Sequence, residues 1–316
     1  MREVLIIGSG FAGSFAARLL TELGIDVLVV DKGRRPGGRT STRRFGIGGL
    51  DHGGIRIDAR PAWFAQRAAS MVASGLLTTT GSLIGGADRI PTMWLEDVDL
   101  IQRTEVERLE EREDGWTART RDGRCLDARS IISTAPFPQL LGMLGSVTVP
   151  GQHPTYMPTW TVMVEGTSSP PPFDGIEGFE EVRGGIFIGD PRIVLHLSFE
   201  ESERRLEETP SEVAASVHLR LKQEWAEGAA WLEESVARAH RWRYGRARSG
   251  ATCDRIGPRL FLAGDAHGPV PGTVGASLAS AACAVDRILT DVLMRPGLAF
   301  LESGWQPVTE LAEVGE

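Results

Sequence analysis

Three glycines at the end of the first apolar run constrain the fold of this chain most strongly. Residues 4–7 are apolar and β-branched, as in a strand buried on both faces, and they lead directly into the sequence GSGFAG. In this GxGxxG pattern Gly8 permits a tight turn, Gly10 lets a pyrophosphate approach the backbone, and Gly13 lets the next helix pack close to the strand. The pattern predicts a helix over residues 11–23 whose first amides point at phosphate groups.

A second apolar run and the acid that ends it complete this element. After a helix stop at Gly24, residues 26–30 predict a second buried strand, and Asp31 follows where a carboxylate can accept both hydroxyls of an adenosine ribose. Strand, helix, strand and acid in this order favour a dinucleotide site over an ordinary βαβ turn. The residues predicted to contact the dinucleotide here are Gly8, Gly10, Phe11, Ala12, Gly13, Asp31 and Lys32.

A second glycine turn just beyond Asp31 indicates which dinucleotide binds. The segment from Gly37 to Arg43 reads GGRTSTR, so it offers a pyrophosphate a flexible backbone and several cationic donors. This segment resembles the glycine doublet of the FAD-binding amine oxidase and glutathione reductase superfamily, which nicotinamide dehydrogenases usually lack. The resemblance implies FAD as the cofactor.

Composition limits the class of partner. The chain has 316 residues and a mass of 34.2 kDa, with 41% apolar and 24% charged residues, as in a globular enzyme with a full core. Its net charge of -8 argues against a nucleic-acid partner. No apolar stretch approaches the ~20 residues that span a bilayer, so no membrane partner is expected.

The N-terminus and the cysteines predict the compartment. The first strand begins almost at Met1, which leaves no room for a cleavable leader. Cys125, Cys253 and Cys283 are far apart, include no CxxC pair, and are expected to be reduced and buried. Zinc-type spacing is absent, so no metal site is predicted. We therefore expect a cytoplasmic protein.

The remainder of the chain predicts an α/β fold with two lobes. Short alternating segments over residues 98–127, with an Asp122-Gly123 turn, predict a β-meander inserted into a Rossmann-like FAD-binding domain. Strand and helix patterns over residues 151–247, together with several tryptophans, predict a second, α+β substrate lobe. The predicted FAD-binding domain is residues 1–57, 88–145 and 248–295, the substrate lobe is residues 58–87 and 146–247, and the C-terminal tail is residues 296–316.

Two further segments are predicted to approach the cofactor. Residues 45–57 are dense in glycine around an Asp-His pair, which suggests backbone close to a flat ligand, although a bulged surface hairpin is the alternative. Residues 259–265 predict a buried strand whose final Asp265 accepts from a ribityl hydroxyl. The small-residue helix predicted over residues 276–293 would present free amides, which favour the negative charge of a reduced flavin near N1.

Taken in order, these segments resemble one branch of the superfamily. The set GSGFAG, Asp31, GGRTSTRR, LDHGG, TEVERLEEREDGW, IISTAP, HRWRY and LFLAGDA is similar to the renalase-like branch of the FAD-dependent amine oxidases, and it covers nearly the whole chain. The resemblance implies that FAD is held by Gly8, Gly10, Gly13, Asp31, Gly38, Arg39, Val106, Gly264 and Asp265, and that Gly275, Ala276 and Ser277 face the flavin N1 edge. The aromatic residues that the branch usually has near Arg56 and Ser277 are missing, so a remodelled pocket is expected.

Flavin accepts a hydride by itself, so pocket shape is expected to matter more than a catalytic triad. The candidate catalytic residues are His52, Arg56, Trp242, Tyr244 and His267, with His196 as a further candidate. A hydrogen-bonded structural histidine is the alternative for each histidine. Packing is the alternative for Trp242 and Tyr244, which share one strand face.

The favoured function is an FAD-dependent oxidase of a small organic substrate, either an amine, a dihydronicotinamide or a specialised metabolite. It would move a hydride to flavin N5 and return the electrons to dioxygen. One alternative is a flavin-dependent tailoring enzyme, acting as an NAD(P)H monooxygenase or as a redox-neutral cyclase or isomerase. The other is a non-catalytic dinucleotide-binding protein.

Overall fold

The structure is a computed structural model that describes residues 1–45, 48–173, 176–184, 191–303 and 307–308. Most of the predicted tail, and part of the glycine-dense segment 45–57, lie outside these residues. The helices are α1 (Phe11–Glu22), α2 (Ala65–Ala73), α3 (Arg89–Trp94), α4 (Phe137–Leu144), α5 (Phe199–Arg204), α6 (Pro210–Glu224), α7 (Ala229–Glu233) and α8 (Val274–Arg287). The strands are β1 (Arg2–Ile7), β2 (Val27–Val30), β3 (Thr42–Phe45), β4 (Gly48–Asp51), β5 (Arg60–Pro61), β6 (Asp99–Ile101), β7 (Val106–Arg112), β8 (Gly115–Thr120), β9 (Cys125–Ser133), β10 (Tyr156–Glu165), β11 (Phe179–Gly184), β12 (Arg192–Leu197), β13 (Val236–Ala247), β14 (Arg255–Ile256), β15 (Leu260–Leu262) and β16 (Pro307–Val308).

The N-terminal strand β1 lies in the middle of an eight-stranded sheet. Its main path runs β14, β15, β9, β1, β2, β6, and the pairs from β15 to β6 are parallel. The central residues of β1 are fully buried because helices cover both faces, as parallel sheets require. Helices α1 and α8 pack on one face around Phe15, and α4 packs on the other face around Phe137. The predicted Rossmann-like α/β core is confirmed.

The β-meander is present, but its limits differ from the prediction. The meander was predicted to end at residue 127, but its last strand continues without a break as β9 to Ser133. The first half of β9 pairs antiparallel with β8, and its second half pairs parallel with β1. No turn residue interrupts the sequence between the halves, so one strand serves both sheet regions. Strand β6 belongs to the main sheet, because it pairs in parallel with β2.

A separate antiparallel sheet, ordered β11, β12, β10, β13, forms the other half of the molecule. Helix α6 covers it, and its core is built from alternating residues such as Trp160, Val162 and Leu195. Helix α6 begins at a capping box, in which the Thr209 side chain accepts from the Glu212 amide and the Glu212 carboxylate accepts from the Thr209 amide. The sheet and its helix form the α+β lobe that the sequence predicts.

The apolar residues of segment 58–87 do not pack with this second sheet. Phe64, Ala68 and Met71 lie in the same core as Phe15 of α1. This packing places the core of the segment with the first sheet, and Arg67 of α2 also donates to Glu22 of α1 at 2.8 Å. The predicted domain boundaries stay predictions.

The cysteines depart from the prediction. Cys125 and Cys283 are exposed and Cys253 is partly exposed, and all three are free thiols. Cys125 begins β9 on the solvent side of the meander, where Arg119 donates to its sulfur at 3.2 Å. The prediction of buried cysteines was therefore wrong. No helix within the described ranges has the length and apolar character needed to cross a membrane.

Candidate functional site

A cavity of about 1490 Å³ lies between the two sheets. It begins at the carboxyl ends of β1 and β2 and reaches the face of β13 that turns toward the first sheet. Ligands of parallel α/β sheets bind at the carboxyl ends of the strands. Pockets for small ligands usually measure about 300–1,000 Å³, so this cavity has room for a dinucleotide together with a small substrate.

Two glycine turns meet at one end of the cavity. Gly8 has a φ of +106°, and a Cβ on Gly13 would lie 1.9 Å from the Gly8 carbonyl oxygen, so the turn and α1 pack as the GxGxxG pattern requires. Gly10 forms a bridge with Gly37, and a Cβ on Gly38 would lie 3.2 Å from the Gly10 Cα atom. The start of α1 has no side-chain cap. This side-chain-free cradle at an open helix N-terminus suits a pyrophosphate.

Asp31 ties the end of β2 to the first glycine turn. Its Oδ2 accepts from the Ser9 amide at 2.5 Å and from the Ser9 hydroxyl at 2.8 Å, while its Oδ1 accepts from the Gly33 amide at 2.5 Å. Asp31 also lines the cavity. Oδ2 already accepts two hydrogen bonds, whereas Oδ1 accepts one, so Oδ1 keeps a lone pair for a ribose hydroxyl. Its predicted role as a ribose ligand stays a prediction.

Arg39 and Asp265 join the two sheets at the middle of the cavity. Arg39 Nη2 donates to Asp265 Oδ1 at 2.6 Å, and Arg39 Nη1 donates to the carbonyl oxygen of Tyr244 at 3.3 Å. The second Asp265 oxygen accepts from the Ala247 amide at 2.7 Å. Both side chains are largely buried. The end of β13 is therefore held to two residues that are predicted to contact the cofactor.

The start of α8 differs from the prediction of free amides. The Val274 amide donates to Asp58 Oδ1 at 2.8 Å, the Gly275 amide to the Asp58 carbonyl at 3.0 Å, and the Ala276 amide to Thr273 Oγ1 at 3.0 Å. Gly275 and Ala276 lie behind the cavity wall, which Ser277 does line. Asp58 is distant in sequence from α8, so its capping role carries no local signal in the sequence.

Gly275 is expected to act through packing. A Cβ there would lie 1.9 Å from the Ala59 carbonyl oxygen, so Gly275→Ala should push α8 away from residues 58–59 and reduce the free energy of unfolding by about 2–3 kcal/mol. Urea unfolding measures this change. Gly142→Ala is the matched control, because Gly142 lies exposed in α4 with no atom within 4 Å of the added carbon. The free energy of unfolding of this control should rise by about 0.5–1 kcal/mol, because alanine is more stable than glycine inside a helix. Equal stabilities of the two variants would contradict the packing role.

A cluster of three rings forms the far wall of the cavity. The His52 ring centroid lies 5.2 Å from those of His240 and Trp242, and the His240 and Trp242 centroids are 4.2 Å apart. The carbonyl oxygen of His52 accepts from Trp242 Nε1 and from Thr161 Oγ1, each at 3.1 Å. Burial, the nearby His240 and the Arg43 charge lower the pKa of His52 from 6.5 to about 4. Burial, followed by the Arg43 charge, lowers the pKa of His240.

The depressed pKa of His52 predicts a loss of stability in acid. Below pH 6.5 the unfolded chain binds a proton that the folded chain refuses until about pH 4, so stability falls as the pH falls through this window. Between pH 7 and pH 5 the loss should be about 2 kcal/mol from this group. The free energies of unfolding of wild type and His52→Asn, measured with urea at both pH values, isolate the contribution of His52. A difference that does not change with pH would contradict the prediction.

The structure separates the candidate catalytic residues. His52, His196, Trp242 and Tyr244 line the cavity, whereas Arg56 and His267 do not. Arg56 is exposed and donates to the Thr80 carbonyl, and His267 Nδ1 lies 3.1 Å from the Cys253 carbonyl. The structure therefore does not bring these two together with the other candidates, and their catalytic role stays a prediction.

Most of the predicted cofactor residues line the cavity, and these assignments stay predictions. They are Gly8, Gly10, Phe11, Ala12, Asp31, Lys32, Gly38, Arg39, Val106, Gly264, Asp265 and Ser277. Gly13 lies behind the glycine turn, as its packing role requires. Sequence reasoning did not single out His240, although its spacing of two from Trp242 places both on one strand face.

Comparison with known proteins gives the class of the fold. A family model described as an NAD(P)-binding Rossmann-like domain matches residues 6–75. The chain is 47% identical over 58 residues to the flavin-containing amine oxidase A of Sus scrofa, covering 18% of this chain and 11% of that protein. It is 40% identical over 63 residues to the flavin-dependent L-tryptophan oxidase RebO of Lentzea aerocolonigenes, covering 19% of this chain and 13% of that protein. The matches thus span only about a tenth of these relatives.

Solved structures resemble nearly the whole chain. Cyclohexylamine oxidase from Brevibacterium oxydans IH-35A superposes with a TM-score of 0.66 at 16% identity, covering 93% of this chain and 100% of that one. The chain therefore has a dinucleotide-binding α/β fold with a second lobe. More particularly, it has the fold of the flavin-containing amine oxidases. The renalase-like branch and the cytoplasmic location stay predictions.

Proposed function

We propose that the protein is an FAD-dependent oxidoreductase that removes a hydride from a small organic substrate. The observation that carries this proposal is a single cavity that joins the glycine cradle to the ring cluster on the second lobe. A cofactor held at the cradle and extended past Arg39 and Asp265 would reach His52 and Trp242. One continuous space would then hold both reactants in contact.

The residues at the cradle fit the chemistry of FAD. Backbone amides at the start of α1 would bind the pyrophosphate, Asp31 the adenosine ribose, and Asp265 the ribityl chain. Glycines at positions 8, 10 and 38 leave the room that side chains would otherwise fill. Bound FAD supplies the hydride acceptor, in the form of its flavin ring. The protein has only to position the substrate and exclude water.

The ring cluster supplies that positioning. Trp242 is fixed by its hydrogen bond to the His52 carbonyl, and Tyr244 is fixed against Tyr156 with ring centroids 5.5 Å apart. Uncharged imidazoles at positions 52 and 240 follow from the lowered pKa values. Neutral rings do not repel a protonated amine and do not bring bulk water with them. This wall therefore favours a substrate with a flat or apolar body.

An amine is the proposed oxidisable group, and dioxygen is the proposed electron acceptor. The support is the likeness to a flavin-containing amine oxidase and to a cyclohexylamine oxidase, together with the renalase-like motifs of the sequence.

Anaerobic flavin reduction tests the function directly. The purified protein should be yellow, and one member of a panel of amines, amino acids, dihydronicotinamides and aromatic alcohols should bleach it in the absence of NADPH. Admitting dioxygen should then restore the colour and release hydrogen peroxide. Bleaching by NADPH alone would favour a monooxygenase, and a colourless protein that binds a dinucleotide without redox change would overturn the proposal.

A further inference from the structure

Two adjacent arginines on β3 have opposite surroundings. Successive side chains on a strand point to opposite faces. Arg44 donates to both oxygens of the buried Asp88 carboxylate, at 2.8 and 2.9 Å. Arg43 is exposed and lines the cavity, and its side chain forms no ion pair or hydrogen bond within the described part of the chain. Arg44 therefore has a structural partner, whereas the Arg43 guanidinium is free to meet a ligand.

The groups around Arg43 leave its charge uncompensated. Its positive charge helps to lower the pKa of both His52 and His240, so the three groups are close and the imidazoles are neutral. Asp265 is already bound to Arg39. Glu180 of β11 also lines the cavity, but it is exposed and makes no ion pair with Arg43. A guanidinium beside the buried His52 ring and the partly buried His240 ring, both uncharged, binds a carboxylate more strongly than one in open water.

We propose that Arg43 is the anion-recognition residue of the substrate pocket, and that the substrate is a carboxylate whose body packs on the His52, His240 and Trp242 rings. This inference rests on the proposed function and narrows its substrate to an amino acid or a similar carboxylate-bearing amine. The substrate carboxylate would bind the Arg43 guanidinium, and the substrate amine would then lie beside the neutral imidazoles. The sequence pattern instead suggested a pyrophosphate contact for Arg43, which is the competing assignment.

Benzoate and benzamide are the probes, because they share a ring and differ in charge. Each is titrated into the holoprotein while the flavin absorption spectrum is recorded, and FAD content is measured in every preparation. Wild type should bind benzoate at least tenfold more tightly than benzamide. Arg43→Gln should weaken the affinity for benzoate by about 10- to 100-fold, as expected for a lost charge-assisted pair. The affinity for benzamide should change less than about twofold.

Arg243→Gln is the matched control, because Arg243 also lines the cavity but is paired with Glu207 at 2.8 Å. It should keep the preference for benzoate. The proposal is overturned if wild type shows no such preference, or if Arg43→Gln retains it. Loss of FAD from Arg43→Gln would assign the residue to the cofactor instead. Failure of the proposed oxidoreductase function would appear separately, as flavin that no amine reduces although the benzoate preference is present.

Discussion

Asp31→Ala is expected to weaken FAD binding by at least 100-fold. The substitution removes the proposed ribose contact, where charge-assisted hydrogen bonds are worth about 1.5–3 kcal/mol each. It also removes the acceptor of the Ser9 and Gly33 amides, so the first glycine turn loses its attachment to β2. Titration of the apoprotein with FAD, followed by quenching of flavin fluorescence, measures the dissociation constant.

Asp31→Asn separates the two contributions. An amide oxygen can still accept from one backbone amide, but it lacks the charge that strengthens a ribose contact. An intermediate loss of affinity with an unchanged melting temperature of the apoprotein would support a ligand role. Unchanged FAD affinity in Asp31→Ala would remove Asp31 from the cofactor site.

Trp242→Ala is expected to slow flavin reduction by substrate about 100-fold per bound flavin. The indole fixes the His52 carbonyl and packs against two imidazoles, so its loss should shift the substrate by about 1 Å from reactive geometry. Stopped-flow reduction under anaerobic conditions, with the best reductant of the panel, measures the rate. FAD content should stay near that of wild type, because Trp242 belongs to the ring cluster that is proposed to contact the substrate rather than the cofactor.

Trp242→Phe is the control for packing. It keeps a ring but removes the Nε1 donor, and the His52 carbonyl still accepts from Thr161. We expect a reduction rate within a few-fold of wild type. The opposite result would be a Trp242→Ala variant that loses roughly 3–5 kcal/mol of stability, as an aromatic cavity does, and melts far below wild type. If its bound flavin is still reduced at the normal rate, Trp242 is only a packing residue.

The sequence predicted the parts of this site that depend on neighbouring residues. The GxGxxG turn needs glycine at positions whose φ angle or close contacts exclude a side chain, and Gly8 and Gly13 occupy such positions in the structure. The alternation of HRWRY likewise predicts that Trp242 and Tyr244 share one face. Both inferences rest on local geometry, which a short segment determines by itself.

Long-range contacts were the parts that could not be predicted. The start of α8 looked open because the sequence around it offers no carboxylate cap, yet Asp58 reaches it from another element. Arg43 was assigned to a pyrophosphate because it follows the second glycine turn. That assignment stays a prediction, but the hairpin of β3 and β4 also places the Arg43 charge where it acts on His52, and this placement depends on the pairing of Arg43 with Leu50. Pairings of this kind follow from the packing of the whole chain.

The contact between Arg39 and the Tyr244 carbonyl has a consequence for changing the specificity of this pocket. Arg39 holds the backbone of β13, the strand of the proposed substrate wall, at Tyr244, and it makes no hydrogen bond to the Tyr244 side chain. Aromatic residues on β13 are therefore free to be exchanged for others without touching the bonds that link Arg39, Asp265 and Ala247. A library that varies positions 240, 242 and 244 should therefore change the substrate specificity of the pocket. Insertions or a proline in the same strand would instead break the hydrogen bonds that hold the two lobes together.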